Sequence, residues 1–536
     1  MLEDGGKVGG FALIGEDLHR NILSRLPALS YASAACVSCS WNRLCNQILS
    51  RPKLLSALSL NPSLEAAVDE ALDKVLSEPI RPDFAIVCFG LKWKCSIMMN
   101  THELVRKRLS SRIPIITYVA HGVIGSEAIT DEFREVQRME DEDCLIGESC
   151  KCNSSANTNS GIVIIVGFMP GMKVSAIPFF QASEEPPEVR MIEKFVAEIE
   201  DYTASVSGCA SPTGILMFAD EFSDMKPLLD KMDYALSEKT FIVGDAGGCF
   251  LYSCGDDFTI LGGIEHFQAY QNRKCTAVAL VFATDRHKSH GMEEIKFDLA
   301  MSNGVAPVGP IYKGASVRLS RSKTFPYSTS TWLTARREGS LEKFDGHRIL
   351  HDIENEMEND ISCYDLYIGV NKRRKCSIGS RKAKSVSSLV FHEVLGGDEE
   401  YLFVKGDGIK TGDTFRFYHP DPETALLSCN KVFEELRVLK QGKENGDKEV
   451  VFGGLLFSCC GRSESFLGRQ NADSSAFLEN FPGVPLAGMF CSGEIGRGNS
   501  ISTLQDDDGQ SHPRTCLHVY SSVYLVMSYT PKPLEY

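Results

Sequence analysis

The first fifty residues constrain this chain more than any other stretch, because they encode helices too short to stand alone that carry apolar surface to spare. In the segment Leu13-Ile14-Gly15-Glu16-Asp17-Leu18-His19-Arg20-Asn21-Ile22-Leu23-Ser24-Arg25-Leu26-Pro27, the residues Leu18, Ile22, Leu23 and Leu26 recur at helical spacing. Asp17 is placed to cap this helix and Pro27 to end it. A second apolar stretch through Ala32, Ala35, Cys36 and Val37 runs on to Trp41 and Leu44, which predicts two or three short helices. So small a unit buries too little surface to be stable unaided. Its leftover apolar residues are explained by a partner that covers them.

These residues resemble the F-box, the module that ties a substrate receptor to the Skp adaptor of an SCF-type ubiquitin ligase, and the resemblance covers residues 10–57. The family opens on Leu-Pro, an acidic residue and two aliphatics. Here Gly15 stands in place of the proline, which removes a residue pre-set for the first helical turn. The resemblance implies that Ile14, Leu18, Ile22, Leu23, Leu26, Pro27 and Trp41 bind a Skp-family adaptor and, through it, a cullin. Read from the residues alone, the same pattern also fits a helical hairpin of an ordinary core.

Length and charge set the outer limits. The 536 residues are enough for two to four domains, and 43% hydrophobic with 24% charged residues is usual for a globular chain. A net charge of −15 argues against direct, sequence-independent nucleic-acid binding, which requires a basic face. Apolar runs such as 161–168 and 276–283 are too short to span a membrane, and Met1 to Gly6 carry no secretory pattern. The expected location is therefore the cytoplasm, the nucleus or both. Lys372-Arg373-Arg374-Lys375 and Arg381-Lys382-x-Lys384 read either as a nuclear signal or as charged loop residues between strands. The 19 cysteines fit reduced thiols. Cys36-x-x-Cys39 and Cys150-x-Cys152 lack a second pair at zinc-finger distance, so Cys36 and Cys39 are expected to be buried packing thiols and no cofactor is expected.

Beyond the helices the rhythm changes. Phe84–Gly90, a helix over 101–111 and Pro114–Val119 make a strand, helix, strand unit. The alternation resumes at Ile162–Val166, a helix over 188–206, Ile215–Phe218, a helix over 226–235 and Phe241–Gly244. This predicts a mixed α/β body. A polar insertion near 139–160 and the run Gln441–Lys448 read as loops. Leu55-Ser56-Ala57-Leu58-Ser59-Leu60 matches the start of a leucine-rich repeat, yet nothing recurs at that period, so it reads as the exit from the first helices.

The second half carries another signature. The strand Gly454–Cys459 runs into Cys460-Gly461-Arg462, and Cys491-Ser492-Gly493-Glu494-Ile495-Gly496 follows a helical spacer, with a closing strand over Leu517–Leu525. These elements look like the FIST C-terminal domain, and Phe241-Ile242-Val243-Gly244-Asp245-Ala246-Gly247-Gly248 looks like the matching turn of the FIST N-terminal domain. The fold class implied is an α+β multidomain chain. It has a small helical F-box at 10–57, then two mixed α/β FIST domains at 62–315 and 316–530.

Glycines 461, 493 and 496 would let backbone approach a bound group, with Arg462 as donor and Glu494 as acceptor. Two readings stay open. Cys460, Gly461, Arg462, Gly493, Glu494 and Gly496 form a site for a small ligand or a target protein, or Arg462 and Glu494 simply pair to hold two turns. A side chain at Gly493 distorts the fold if that residue needs positive φ, and Cys460 is expected to face outward beside Arg462 as the more reactive of two vicinal thiols, unless both thiols are inert packing groups. No catalytic elbow or phosphate loop is present in the sequence, so the expectation is a non-catalytic receptor that brings an unknown protein substrate to ubiquitination and degradation.

Overall fold

The computed structural model describes residues 15–90, 95–109, 112–137, 161–182, 189–221, 223–255, 259–262, 273–288, 293–321, 329–357, 365–376, 384–441, 449–497 and 516–531. The polar insertion at 139–160, the run 442–448, Cys150, Cys152 and Ile14 lie outside them.

Helix α1 (Glu16–Leu23) is capped by Gly15 rather than Asp17, a correction of the sequence reading. Glu16 and Asp17 instead occupy the first turn, where carboxylates complement the positive end of the helix dipole. Pro27 ends this pattern and caps α2 (Ala28–Ala35), and Ser38 caps α3 (Cys39–Ile48) by accepting from the Trp41 N–H at 3.2 Å. Among the described residues, Leu23, Tyr31, Ala34, Leu44 and Cys45 form the buried core of the three helices. The unit is seated on the body by the Ala28 N–H, which donates to the Leu76 carbonyl at 2.9 Å. Cys36 and Cys39 are exposed, so they are not the packing thiols expected.

The body begins with β1 (Lys53–Ser59), α4 (Leu64–Val75), β2 (Phe84–Phe89), α5 (Cys95–Leu109), β3 (Ile115–Val119), β4 (Gly122–Ser126), β5 (Phe133–Gln137), β6 (Ile162–Phe168) and β7 (Met172–Ala182). It continues with α6 (Val189–Ser207), β8 (Gly214–Asp220), α7 (Lys226–Ala235), β9 (Phe241–Ser253), β10 (Thr259–Gly262), β11 (Arg273–Thr284) and β12 (Glu294–Asn303). Next come β13 (Val305–Arg321), β14 (Thr329–Arg337), α8 (Gly346–Glu356), β15 (Tyr367–Cys376), β16 (Lys384–Gly397), β17 (Leu402–Lys405) and β18 (Thr414–Pro420). The chain closes with α9 (Pro422–Gln441), β19 (Val450–Cys459), α10 (Glu464–Leu467), α11 (Ala472–Asn480), β20 (Leu486–Cys491), β21 (Glu494–Arg497) and β22 (Ser521–Thr530).

One sheet runs β1-β6-β2-β3-β9-β8-β11-β7, with β10 and β21 also paired to β9, and a second runs β12-β22-β19-β20-β4-β5. Their facing sides share one core, in which Phe84, Ile86 and Phe282 meet Phe457, Met489 and Met527. Helices α4 and α5 and, on the same sheet, α6 and α7 cover the outer face of the first. Helices α9 and α11 cover the outer face of the second. The body is thus layered helix, sheet, sheet, helix. This explains why β2, β3, β6 and β8 read as unbroken apolar runs, since both faces of each strand are buried. The predicted unit of β2, α5 and β3 is present, with its two strands parallel.

Three features depart from the sequence reading. The run at 55–60 is an edge strand, β1, paired antiparallel with β6. Residues 305–420 close into a six-stranded barrel, β13-β14-β17-β16-β15-β18. The expected division at 315/316 falls inside β13, and β4 and β5 from the first half complete the second sheet.

Candidate functional site

On α1, Leu18 and Ile22 are one turn apart and both face outward, 54% and 39% exposed, while Leu23 alone enters the core. Leu29 on α2 and Val37 after it are 83% and 66% exposed. Leu26 and Trp41 are half-buried against the small core, and the Trp41 ring lies 5.9 Å from that of His19. Pro27 is exposed. The available apolar surface is therefore Leu18, Ile22, Leu29 and Val37, and Leu23 and Leu26 act by holding the helices together.

The Arg462 region is built differently from either sequence reading. Arg462 is 1% exposed and pairs with Asp473 on α11, not with Glu494. Its Nε and Nη2 donate to the two Asp473 oxygens at 3.0 and 2.6 Å, its Nη1 to the Tyr520 carbonyl at 3.1 Å, and its Nη2 also to Ser302 Oγ at 3.0 Å. Asp473 further accepts from Ser458 Oγ at 2.8 Å and Ser522 Oγ at 2.7 Å. Burial alone would raise the Asp473 carboxyl, but the guanidinium and these donors hold it below its ordinary value. This clasp ties together β12, β19, β22 and α11. Every Arg462 nitrogen is engaged inside the fold, which leaves none for a ligand.

Glu494 opens β21 rather than a turn and is also 1% exposed. Its Oε2 accepts from Ser521 Oγ at 3.3 Å. Burial, followed by the neighbouring Cys459 and Asp245, pushes its carboxyl well above the usual range. Asp245, raised to about 6 by burial, accepts from Tyr118 Oη at 2.9 Å and from the Gly493 N–H at 3.0 Å. That bond fastens the β20–β21 connection to β9. The predicted turn at Gly244–Gly248 is the interior of β9.

Gly493 does not have positive φ, so that condition is not met, and a Cβ there would meet Ala246 at 3.3 Å. At Gly461 a Cβ would lie 2.6 Å from the Tyr520 ring, and it is this close approach, not a ligand, that demands glycine. Gly496 lies within β21. Cys460 is half-exposed and Cys459 is buried, as alternation predicts. Arg462, however, is turned into its clasp and does not serve as a partner to activate Cys460.

A cavity of about 310 Å³ opens where α7, the β15–β16 hairpin and residues 516–519 meet. Lys226, Leu229, Tyr367, Leu389, Gly493 and His518 are among its walls. Of the glycines, Arg462, Glu494 and Cys460 singled out from sequence, only Gly493 reaches it. The His518 ring is fixed there by a 2.8 Å contact between Nε2 and the Gly496 carbonyl. Of the basic motif at 372–375, Lys372 is 4% exposed, with Nζ 3.4 Å from His392 Nε2.

Comparison with known families matches residues 13–52 to the F-box domain and residues 371–497 to the FIST C domain. The chain is 44% identical over 521 residues to the F-box/LRR-repeat protein At5g63520 of Arabidopsis thaliana, covering 97% of this chain and 94% of that relative. The chain belongs to the F-box protein family. Shorter similarities reach bacteria. An uncharacterized Mycobacterium bovis protein is 30% identical over 115 residues, 21% of this chain and 28% of its own length. An uncharacterized Mycobacterium tuberculosis protein is 48% identical over 91 residues, 17% of this chain and 22% of its own. Members of the F-box family are generally non-catalytic adaptor subunits of SCF-type ligases, in which the F-box binds a Skp-family adaptor.

The outward pair Leu18 and Ile22 thus falls within the matched F-box, and Arg462, Asp473 and Glu494 fall within the matched FIST C domain, while the clasp partners Ser302, Tyr520 and Ser522 lie outside it. Sequence reasoning missed Asp473. Its only signal is polarity at helix positions that should be apolar, in Ala472-Asp473-Ser474-Ser475.

Proposed function

We propose that this chain is the substrate-recognition subunit of an SCF-type ubiquitin ligase. The F-box binds a Skp-family adaptor and, through it, a cullin, while the body, with a FIST N-terminal part ahead of the FIST C domain, holds a protein target for ubiquitination and degradation. The carrying observation is the exposure of Leu18, Ile22, Leu29 and Val37 on helices whose own core is only five buried side chains. Such surface favours a permanent partner. Catalysis by the complex is then proximity supplied by this chain, with bond chemistry done elsewhere. Its place of action is the cytoplasm, the nucleus or both.

The test is co-purification with a Skp adaptor. Leu18→Asp with Ile22→Asp puts two charges into the contact and abolishes capture, because an unpaired buried charge costs several kcal/mol. Both side chains point away from the helical core, so the variant stays folded. Adaptor capture undiminished in the folded double variant refutes the assignment.

The cavity favours a second, compatible reading, in which a small polar ligand bridges α7 and the barrel hairpin. Ser388→Phe, which fills the cavity, then abolishes any ligand-dependent rise in melting temperature.

A further inference from the structure

We infer that the outer wall of the barrel, along β13, β14 and β17, is the surface that docks the target, and that the target presents an acidic segment with an apolar anchor. This rests on the receptor reading above. Strand alternation sends Val317, Leu333 and Val404 toward the barrel core and the register row Arg318, Trp332 and Phe403 toward solvent. Trp332 is 37% exposed, with its ring 5.1 Å from Phe403 and 6.1 Å from Tyr401. Arg318 lies over the Tyr401 ring at 5.2 Å. Leu395, 54% exposed, sits at the bulge where β16 meets β17 and extends the apolar surface. An exposed Trp flanked by Phe, Tyr and Arg has the composition of an interface hot spot.

Charge decides the occupant. Lys313 and Arg336 are direct register partners on β13 and β14, both exposed, an arrangement of like charges that disfavours the isolated sheet. Among the described residues, neither they nor Arg318 pairs with a carboxylate. Two of the nearby acids are already engaged. Glu393 pairs with Lys405 at 3.0 Å, and Asp398 accepts from the N–H groups of Glu400 and Tyr401 at 2.8 and 2.7 Å. Residues 305–420 also hold more Lys and Arg than Asp and Glu, in a chain whose net charge is −15. An acidic protein segment relieves the Lys313–Arg336 repulsion, while its apolar side chain covers Trp332 and Phe403. A single-stranded nucleic acid carries a charge at every nucleotide and needs a continuous basic track, whereas, among the described residues, the unpaired cations beside these aromatics are the three residues Lys313, Arg318 and Arg336.

The experiment uses the full chain and a fluorescent 12-residue peptide of alternating Glu and Leu, with a Lys–Leu peptide and a 12-nucleotide oligo-dT as controls. The Glu–Leu peptide binds and weakens with salt, the Lys–Leu peptide and oligo-dT do not, and Trp332→Ser or Arg318→Glu with Arg336→Glu lowers affinity at least tenfold. The Arg variant touches no core residue, so its result stands even if Trp332→Ser melts early. Equal affinity in both variants, equal binding of the Lys–Leu peptide, or tighter binding of oligo-dT overturns the proposal. So does self-association of the chain that both variants abolish. Adaptor capture, measured on the same samples, is unaffected by these variants. Its failure in the parent chain refutes the ligase reading separately from the docking surface.

Discussion

Breaking the Arg462–Asp473 clasp one side at a time should unfold the second half of the body. Arg462→Met leaves Asp473 buried without its cation, and Asp473→Asn leaves a buried guanidinium without its anion, at side chains 0% and 2% exposed. Arg462→Met removes the two direct bonds to Asp473, at 3.0 and 2.6 Å, together with those to Tyr520 and Ser302, while Asp473→Asn takes the anionic charge out of the same two bonds. Charge-assisted hydrogen bonds are worth about 1.5–3 kcal/mol each. The loss is therefore about 3–6 kcal/mol, in line with the roughly 3–5 kcal/mol typical of orphaning one member of a buried pair. For a cooperative unit of 150–250 residues each kcal/mol moves the melting temperature by about 2–4 °C, so either variant should melt roughly 6–24 °C early. Arg462→Met with Asp473→Asn removes both charges and recovers much of that loss, so the double-mutant cycle should show a coupling of about 2 kcal/mol or more. Differential scanning calorimetry at low and high salt is the assay, and burial predicts no salt dependence of the coupling. Single variants within about 1 kcal/mol of the parent, or strictly additive effects, would refute the reasoning.

Glu494→Gln should gain stability relative to the parent as pH rises. The folded carboxyl lies well above its unfolded value, so its contribution is full below that unfolded value and is lost as pH rises. A variant no more stable than the parent at pH 8, relative to pH 5, counts against this. His102, held at Nδ1 by Thr117 Oγ1 at 2.8 Å and at Nε2 by Ser253 Oγ at 2.9 Å, is lowered to about 4, chiefly by burial. Its contribution is present above the unfolded value of 6.5 and is lost as pH falls toward 4, a window worth about 3 kcal/mol. Acid unfolding curves of His102→Gln should be flatter between those values, and a parallel curve contradicts the assignment. Gly461→Ala, which meets the Tyr520 ring, should lower the melting temperature more than Gly493→Ala, which meets only the Ala246 contact at 3.3 Å. The reverse order would show that the β20–β21 connection, not the Tyr520 contact, is the tighter place.

The sequence by itself determined the local elements and the class of the protein. Helical spacing placed α1 and left Leu18 and Ile22 without an internal use, and apolar runs placed β2, β3, β6 and β8 to within a residue or two. These signals survive because they are carried by neighbours two to four residues apart. Only the tertiary structure decided what the polar residues do. Arg462 looked like a ligand group beside Glu494, yet its partners are Asp473, Ser302 and Tyr520, and Glu494 instead lies against β9. The same holds for the second sheet, where β4 joins β20 from more than 350 residues away, and for the barrel, whose alternation is hidden by bulges in β13 and β16. Periodicity says that a side chain is buried or exposed. Which group meets it there depends on pairings across the chain that no local pattern encodes, and in this protein those pairings separate an internal clasp from a binding surface.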